Sequence, residues 1–283
     1  MTRLRFGIKT AQQHTNYADM LAVWRAADAV EVFEHAWLFD HFIPIAGDLD
    51  GPCLEGWTLL AALAAQTRRI RVGHMVNGNT YRHPAVLANM GATLDIISNG
   101  RLDMGIGAGW NELEHTSYGI ELLPPGKRLS QFEEACEVIR LLWTQKYADF
   151  EGTYYQLKQA RCEPKPVQRP YPPIVIGGSG ERRTLRIVAK YADVWNFAGG
   201  PVDQFRHKLA VLEEHCRAVG REFASIEKSV QLPVTYDDLP GYIASTREYI
   251  AAGANHIIFN LRWPYPAGII ERLAEEVVPQ VSL

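Results

Sequence analysis

Short apolar runs rich in β-branched and aromatic residues recur along the chain, and between them apolar residues return every three or four positions. The first pattern predicts buried strands and the second amphipathic helices. Eight strands are expected, at Leu4–Lys9, His35–Asp40, Ile70–Val76, Arg101–Gly107, Pro173–Gly177, Asp193–Phe197, Ile226–Pro233 and His256–Asn260. Leu21, Val23, Trp24 and Ala27 make a helical stripe before the second strand. Leu129, Phe132, Cys136, Ile139 and Leu142 make one after the fourth, and Leu185, Val188 and Ala189 one after the fifth. Pro84 suits the first turn of a helix that Ser98-Asn99-Gly100 would stop.

Strands alternating with helices imply a parallel sheet. Eight such units, with no linker or break in composition, favour a closed (β/α)8 TIM barrel spanning 1–283 as one domain over an open doubly wound sheet. The stretch 144–172 fits this scheme least; its prolines predict a hairpin or extended excursion leading into the fifth strand. The chain has 283 residues, 47% hydrophobic and 22% charged, enough for one barrel of ordinary size. A net charge of −3 gives no reason to expect nucleic acid or an anionic membrane as partner. No apolar run is long enough for a signal peptide or a membrane span, so a cytoplasmic protein is expected. Cys53, Cys136, Cys162 and Cys216 form no CxxC pair and are expected as reduced thiols.

Two predicted strands end in small residues, Gly105-Ile106-Gly107-Ala108-Gly109-Trp110 and Ile176-Gly177-Gly178-Ser179-Gly180. Backbone amides exposed at such turns, beside a helix N-terminus, suit a phosphate-bearing ligand. Neither turn is a dinucleotide fingerprint: Trp110 stands where GxGxxG requires its last glycine, and there is no acidic residue about 20 positions on. Asp40-His41 closes the second strand, at the face where barrel enzymes keep their chemistry; His41 can accept or donate a proton there. The mixture of small and polar residues from Gly73 to Asn79 predicts a bulge, and Arg82-His83 reads as a cap or ion pair. Trp37, Trp57, Trp110, Trp195 and Trp263 are candidates to line a pocket for an aromatic cofactor. No metal is expected: Lys9, Ala11 and Gln12 stand where a barrel metallohydrolase carries His-x-His, no HExxH occurs, and Glu112, Glu114 and His115 read as a solvated face. The serine-nucleophile motif GxSxG is missing.

Several strings together resemble the luciferase-like flavin and deazaflavin oxidoreductases over nearly the whole chain. They are Phe39-Asp40-His41-Phe42, the run from Ile70 to Tyr81-Arg82-His83-Pro84, Gly100 to Trp110, Pro173 to Glu181 and Tyr191 to Asn196. Gln12-Gln13-His14, Asp50-Gly51-Pro52 and Glu55 to Leu60 carry a narrower likeness to the branch that uses coenzyme F420. The resemblance implies a luciferase-like barrel with the cofactor at its C-terminal mouth and hydride transfer to or from a small-molecule substrate. It also implies a homodimer. It would place a bulge, often with a non-prolyl cis peptide, at Met75-Val76-Asn77 behind the ring. Gly107, Ala108, Gly109 and Trp110 would lie beside the ring, Gly177, Gly178, Ser179 and Gly180 would meet the phosphate, and Trp195 would join the cofactor site. Asp40 and His41 match the aspartate–histidine pair of the sugar-phosphate dehydrogenase branch. The chain departs from that branch at Trp110, where it has glutamate, and at Ile45, where it has tryptophan; Asn79 replaces the usual proline. FMN-dependent monooxygenases of the family usually carry a long insertion after the seventh strand, where this chain has only Thr235–Pro240. The alternatives are an FMNH2-dependent monooxygenase served by a separate reductase, and a flavin-binding barrel without catalysis. Tyr81, Arg82 and Arg262 are the candidate anchors for an anionic substrate.

Overall fold

The computed structural model describes residues 3–282. Among these, eight parallel strands close into a barrel: β1 (Arg5–Thr10), β2 (Phe33–Leu38), β3 (Arg71–His74, resuming at Asn77–Gly78), β4 (Leu102–Gly107), β5 (Ile174–Gly177), β6 (Val194–Phe197), β7 (Glu227–Pro233) and β8 (His256–Leu261). Each pairs with its sequence neighbours, and β1 pairs with β8 to complete the ring. The expected (β/α)8 barrel is therefore present, with each strand within two residues of its predicted place. Helices Tyr17–Ala29, Gly56–Gln66, Pro84–Ile97, Pro125–Thr144, Thr184–Tyr191, Val202–Val219 and Leu239–Ala251 surround it. Residues Ala148–Glu151 and Gln156–Ala160 form an antiparallel hairpin outside the barrel. No helix among the described residues is long and apolar enough to cross a membrane.

Strand alternation sorts the barrel interior into layers. At the N-terminal end Arg5, His35, Arg71, Asp103, Glu227 and His256 form a charged network. Arg5 Nη1 lies 2.7 Å from Glu227, and His35 Nε2 lies 3.1 Å from Asp103, which also pairs with Arg71. Above it Trp37, Met75, Val175, Val194 and Ile258 form an apolar plug. Above the plug the interior turns polar again, with Lys9, Asn196, Gln231 and Asn260 opening to the C-terminal face. The larger apolar core lies between strands and helices.

The third strand is interrupted as its composition predicts. Gly73 pairs with Asp103 and Asn77 with Ile106, so four steps along β3 match three along β4. The extra residue makes a bulge at 74–76, and its Met75–Val76 peptide is cis. The neighbouring strands accept the bulge because they lack side chains there. A Cβ on Gly105 would lie 1.8 Å from the His74 carbonyl oxygen, and one on Gly107 or Gly177 within 3.0 Å of Val76.

The charged layer ties stability to pH. Burial, together with the nearby His256, pushes His35 down to about 4. Glu227 is held at about 2: burial acts to raise it but is outweighed by His256 and Arg5. The native His35 thus stays neutral while the unfolded chain takes up a proton below about 6.5, so stability falls as pH drops from there toward 4; the carboxylate's share is lost at still lower pH. His35 alone should cost about 2 kcal/mol between pH 7 and pH 5. Urea unfolding at the two pH values should show this loss, and His35→Gln should reduce it. An equal pH dependence in wild type and variant would contradict the assignment.

Candidate active site

A cavity of about 600 Å³ opens at the C-terminal ends of the strands, within the size range of small-molecule and cofactor sites. Its back wall is the bulge, Met75 to Gly78, with Gly107, Gly177 and Gly178 on the adjoining strand ends. Asp40, His41, Tyr81 and Trp110 also line it, as do Arg128, Leu129 and Thr184; Lys9, Asn196, Gln231 and Asn260 add polar groups to the lining.

Glu114 organises the wall formed by His41 and Tyr81. It lies on the short helix Glu112–Tyr118, with its side chain fully buried. Its Oε2 receives His41 Nδ1 at 2.6 Å and the Tyr81 hydroxyl at 2.5 Å; its Oε1 receives the amides of Phe42 at 2.5 Å and Ile43 at 3.2 Å. Burial alone would raise this carboxyl, but the bonds from His41, Tyr81 and Phe42 outweigh it and hold the group below the usual carboxylate range. Burial, together with the contact to Glu114, lifts the Tyr81 hydroxyl far above its ordinary value, so it stays a donor. An ionised carboxylate only accepts, so His41 carries its proton on Nδ1, which leaves Nε2 without a protein partner among the described residues in a ring that lines the cavity.

The helix bearing Glu114 is itself pinned. Asn111 caps it, and His115 Nδ1 donates to the Asn111 carbonyl while its Nε2 accepts from the Thr80 hydroxyl at 2.7 Å. Gly109 has a φ of +79°, and a Cβ there would lie 2.5 Å from Thr80 Oγ1. Asp40 is held by Arg82, 2.7 Å from its Oδ2, while Arg82 also bridges to Glu55 at 2.8 Å. Gln12 clamps the Phe39 backbone through both its amide atoms. Asp40 Oδ1 is buried without a hydrogen-bond partner.

Asp40, His41, Met75, Val76, Asn77, Gly107, Ala108, Gly109, Trp110, Gly177 and Gly178 all line the cavity. Ser179 and Gly180 lie beyond its lining, where Thr184 stands instead. Trp195 does not reach it. Asn196 points inward, so alternation turns Trp195 outward onto Phe205, with ring centroids 5.7 Å apart, and its Nε1 donates to the Gly178 carbonyl at 2.8 Å. Of the five tryptophans only Trp110 lines the cavity; it is 60% exposed and meets His41 edge-on. Trp37 lies in the plug below, Trp57 donates to Asn77, and Trp263 donates to Asp19 outside. Arg82 and Tyr81 are not anchors for an anion, because both are committed to carboxylates. Arg262 is exposed and outside the lining.

Reading Glu114 and His115 as a solvated face is wrong: both are buried, and only Glu112 is exposed. Asn111 followed three residues later by Glu114 is also the signature of a helix start. That local signal hides a carboxylate that serves a distant strand. Lys9 and Arg128 give no sequence signal beyond their charge. Among the described residues no group of three His, Cys, Asp or Glu side chains converges as a metal site.

Replacing Glu114 with Ala leaves four donors without their acceptor and should destabilise the protein by about 3 kcal/mol or more, against about 1 kcal/mol for Tyr81→Phe. Urea denaturation of the two variants checks the ranking. Equal effects would mean that the carboxylate does not organise this wall.

The profile of the luciferase-like monooxygenase family matches residues 2–259. An uncharacterized protein of Mycobacterium tuberculosis is 34% identical over 185 residues, 63% of this chain and 64% of that protein, so the chain spans under two thirds of that relative's length. An F420-dependent glucose-6-phosphate dehydrogenase of Microbacterium testaceum is 30% identical over 236 residues, covering 82% of this chain and 68% of the relative. A pyrimidine monooxygenase of Allorhizobium ampelinum is 36% identical over 176 residues, 60% of this chain and 47% of the relative. The solved structure of an F420-dependent secondary alcohol dehydrogenase with an F420–acetone adduct shares the fold, with a TM-score of 0.88 at 20% identity over 99% of both chains. Barrel, bulge and matched profile lead to one conclusion: this chain belongs to the luciferase-like monooxygenase family of oxidoreductases.

Proposed function

We propose that the chain is an F420-dependent oxidoreductase acting on a small organic substrate, with His41 as the proton donor or acceptor. The observation that carries this reading is the geometry of His41. Its Nδ1 proton is committed to a buried carboxylate, and its ring lines the cavity with Nε2 free of any protein partner among the described residues. When Nε2 takes a proton, Glu114 stabilises the resulting imidazolium; when it gives one up, the ring keeps its place. Tyr81 and the Phe42 and Ile43 amides hold the carboxylate, so the pair does not reorganise as the proton moves.

The residues present fit a deazaflavin. The bulge at Met75–Val76 gives the cavity an apolar wall, with Val76 seated in the space that Gly107 and Gly177 leave for it. The unsatisfied Asp40 Oδ1 awaits a donor such as a ring N–H. At the far side Gly177, Gly178, Thr184 and Arg128 would hold a phosphate; the Arg128 Nε is buried without a partner. Once bound, the deazaflavin supplies a carbon that carries a hydride.

F420 rather than FMN is supported by the dehydrogenase relative covering 82% of the chain and by the short connection from β7, which ends at Pro233, to the helix beginning at Leu239. The pyrimidine monooxygenase relative favours a second reading, an FMNH2-dependent monooxygenase with a partner reductase. Titration of the protein with F420 and with FMN, followed by absorbance and fluorescence, separates them. F420 should bind in the micromolar range and FMN more weakly. Tight FMN binding without F420 binding would overturn the proposal. With a substrate found by screening, His41→Ala should lower turnover by about 10²-fold or more while cofactor affinity is kept. Unchanged turnover would remove His41 from the chemistry.

A further inference from the structure

The cavity floor holds a cation that neither the proton-transfer pair nor the proposed cofactor contacts use. Lys9 projects from β1 into the barrel, and its Nζ donates to Gln231 Oε1 at 2.6 Å. That is its one protein hydrogen bond among the described residues, and no carboxylate there pairs with it. Burial is the cause that pushes the amine down to about 8, so it is still mostly protonated at neutral pH.

A chain of hydrogen bonds with a fixed direction ends on this amine. The Ser229 hydroxyl donates to the Trp195 carbonyl at 3.1 Å, so its oxygen accepts from Asn196 Nδ2 at 2.9 Å. Asn196 Oδ1 then accepts from Gln231 Nε2 at 2.6 Å, which leaves Gln231 Oε1 facing Lys9. The glutamine therefore cannot turn to offer Lys9 anything but one acceptor. An ammonium has three protons to donate, and two remain for the cavity.

A purely structural lysine is a poor account of this arrangement. Lys9 is half-buried at the floor of the cavity, and its one charge-assisted hydrogen bond, about 1.5–3 kcal/mol, uses only one of its three protons. The cavity is the space into which the unused protons are directed, so a ligand can supply what the protein withholds.

We infer that Lys9 anchors the substrate, and that the substrate carries a carboxylate or comparable singly charged oxyanion. This rests on the proposal that the cavity is the site of reaction. The barrel order separates this anchor from the phosphate-holding end. β5, with Gly177, is four strands from β1 on either side of the ring, whereas His41 follows β2, the immediate neighbour of β1. An acid held by Lys9 thus sits on the same side of the barrel as the proton-transfer residue. One cation surrounded by the amides of Asn196, Gln231 and Asn260 matches one negative charge; a phosphate dianion would leave a second charge buried without a partner.

Benzoate and benzamide, nearly equal in shape but differing in charge, test this without any turnover. Calorimetric titration of the wild-type protein should show benzoate binding about tenfold tighter or more, as one charge-assisted bond predicts. Lys9→Met should remove the preference, leave benzamide binding unchanged and retain the fold as judged by thermal melting. Gln231→Glu keeps the lysine but gives it an internal counterion, and should also remove the preference. Equal binding of the two probes by wild type, or a preference that survives in either variant, would overturn the inference. Because no cofactor is needed, these results stand apart from the F420 and FMN titrations: each proposal can fail while the other holds.

Discussion

The candidate site depends on a single buried carboxylate. Glu114 receives four donors from two separate segments: His41, Phe42 and Ile43 in the loop after β2, and Tyr81 in the segment after the β3 bulge. Without an ionised group at this point, His41 would have no fixed tautomer, Tyr81 no partner and the Phe42–Ile43 loop no anchor. The carboxylate remains charged in a buried place because the donors outweigh the cost of burial, and the donors are ordered because it remains charged. The proton chemistry proposed for His41 is a consequence of this mutual constraint.

The second constraint is steric. The bulge of β3 pushes the His74 carbonyl and the Val76 side chain into space that any residue larger than glycine at 105, 107 or 177 would occupy. These glycines therefore serve the packing of one strand against its neighbours, and Val76, seated among them, forms the cavity wall that a planar ring would use. Beneath it, the apolar plug of Trp37, Met75, Val175, Val194 and Ile258 separates the polar cavity floor from the charged layer at the opposite end. The barrel thus keeps two ionisable centres in one interior without direct contact: one stabilises the closed sheet, and the other faces the ligand space.

The fold was legible because alternation and helical spacing are local signals repeated eight times; an error of two residues in any strand leaves the topology intact. The bulge was legible for the same reason, since Gly73 to Asn79 breaks the pattern of a buried strand. Asp40 and His41 could be named from position alone, at a strand end on the face where barrels place their chemistry. Glu114 could not, because its role comes from a contact with His41 73 residues away, while its local context reads as a helix cap. Trp195 failed in the opposite way. Its place at a strand end suggested the cavity, but the pleat gives that direction to Asn196. Lys9 looked like a missing metal ligand, and only the closed ring shows that it faces Gln231, 222 residues on.

The proposed function places a deazaflavin against the bulge with its reactive edge toward His41. A crystal structure of the protein with F420 tests this most directly. The ring is expected in contact with Val76, the phosphate at Gly177 and Gly178, and His41 Nε2 at the edge of the ring with its Nδ1 still on Glu114. A ring bound away from the bulge, or a His41 turned off Glu114 and out of reach of the ring, would contradict it.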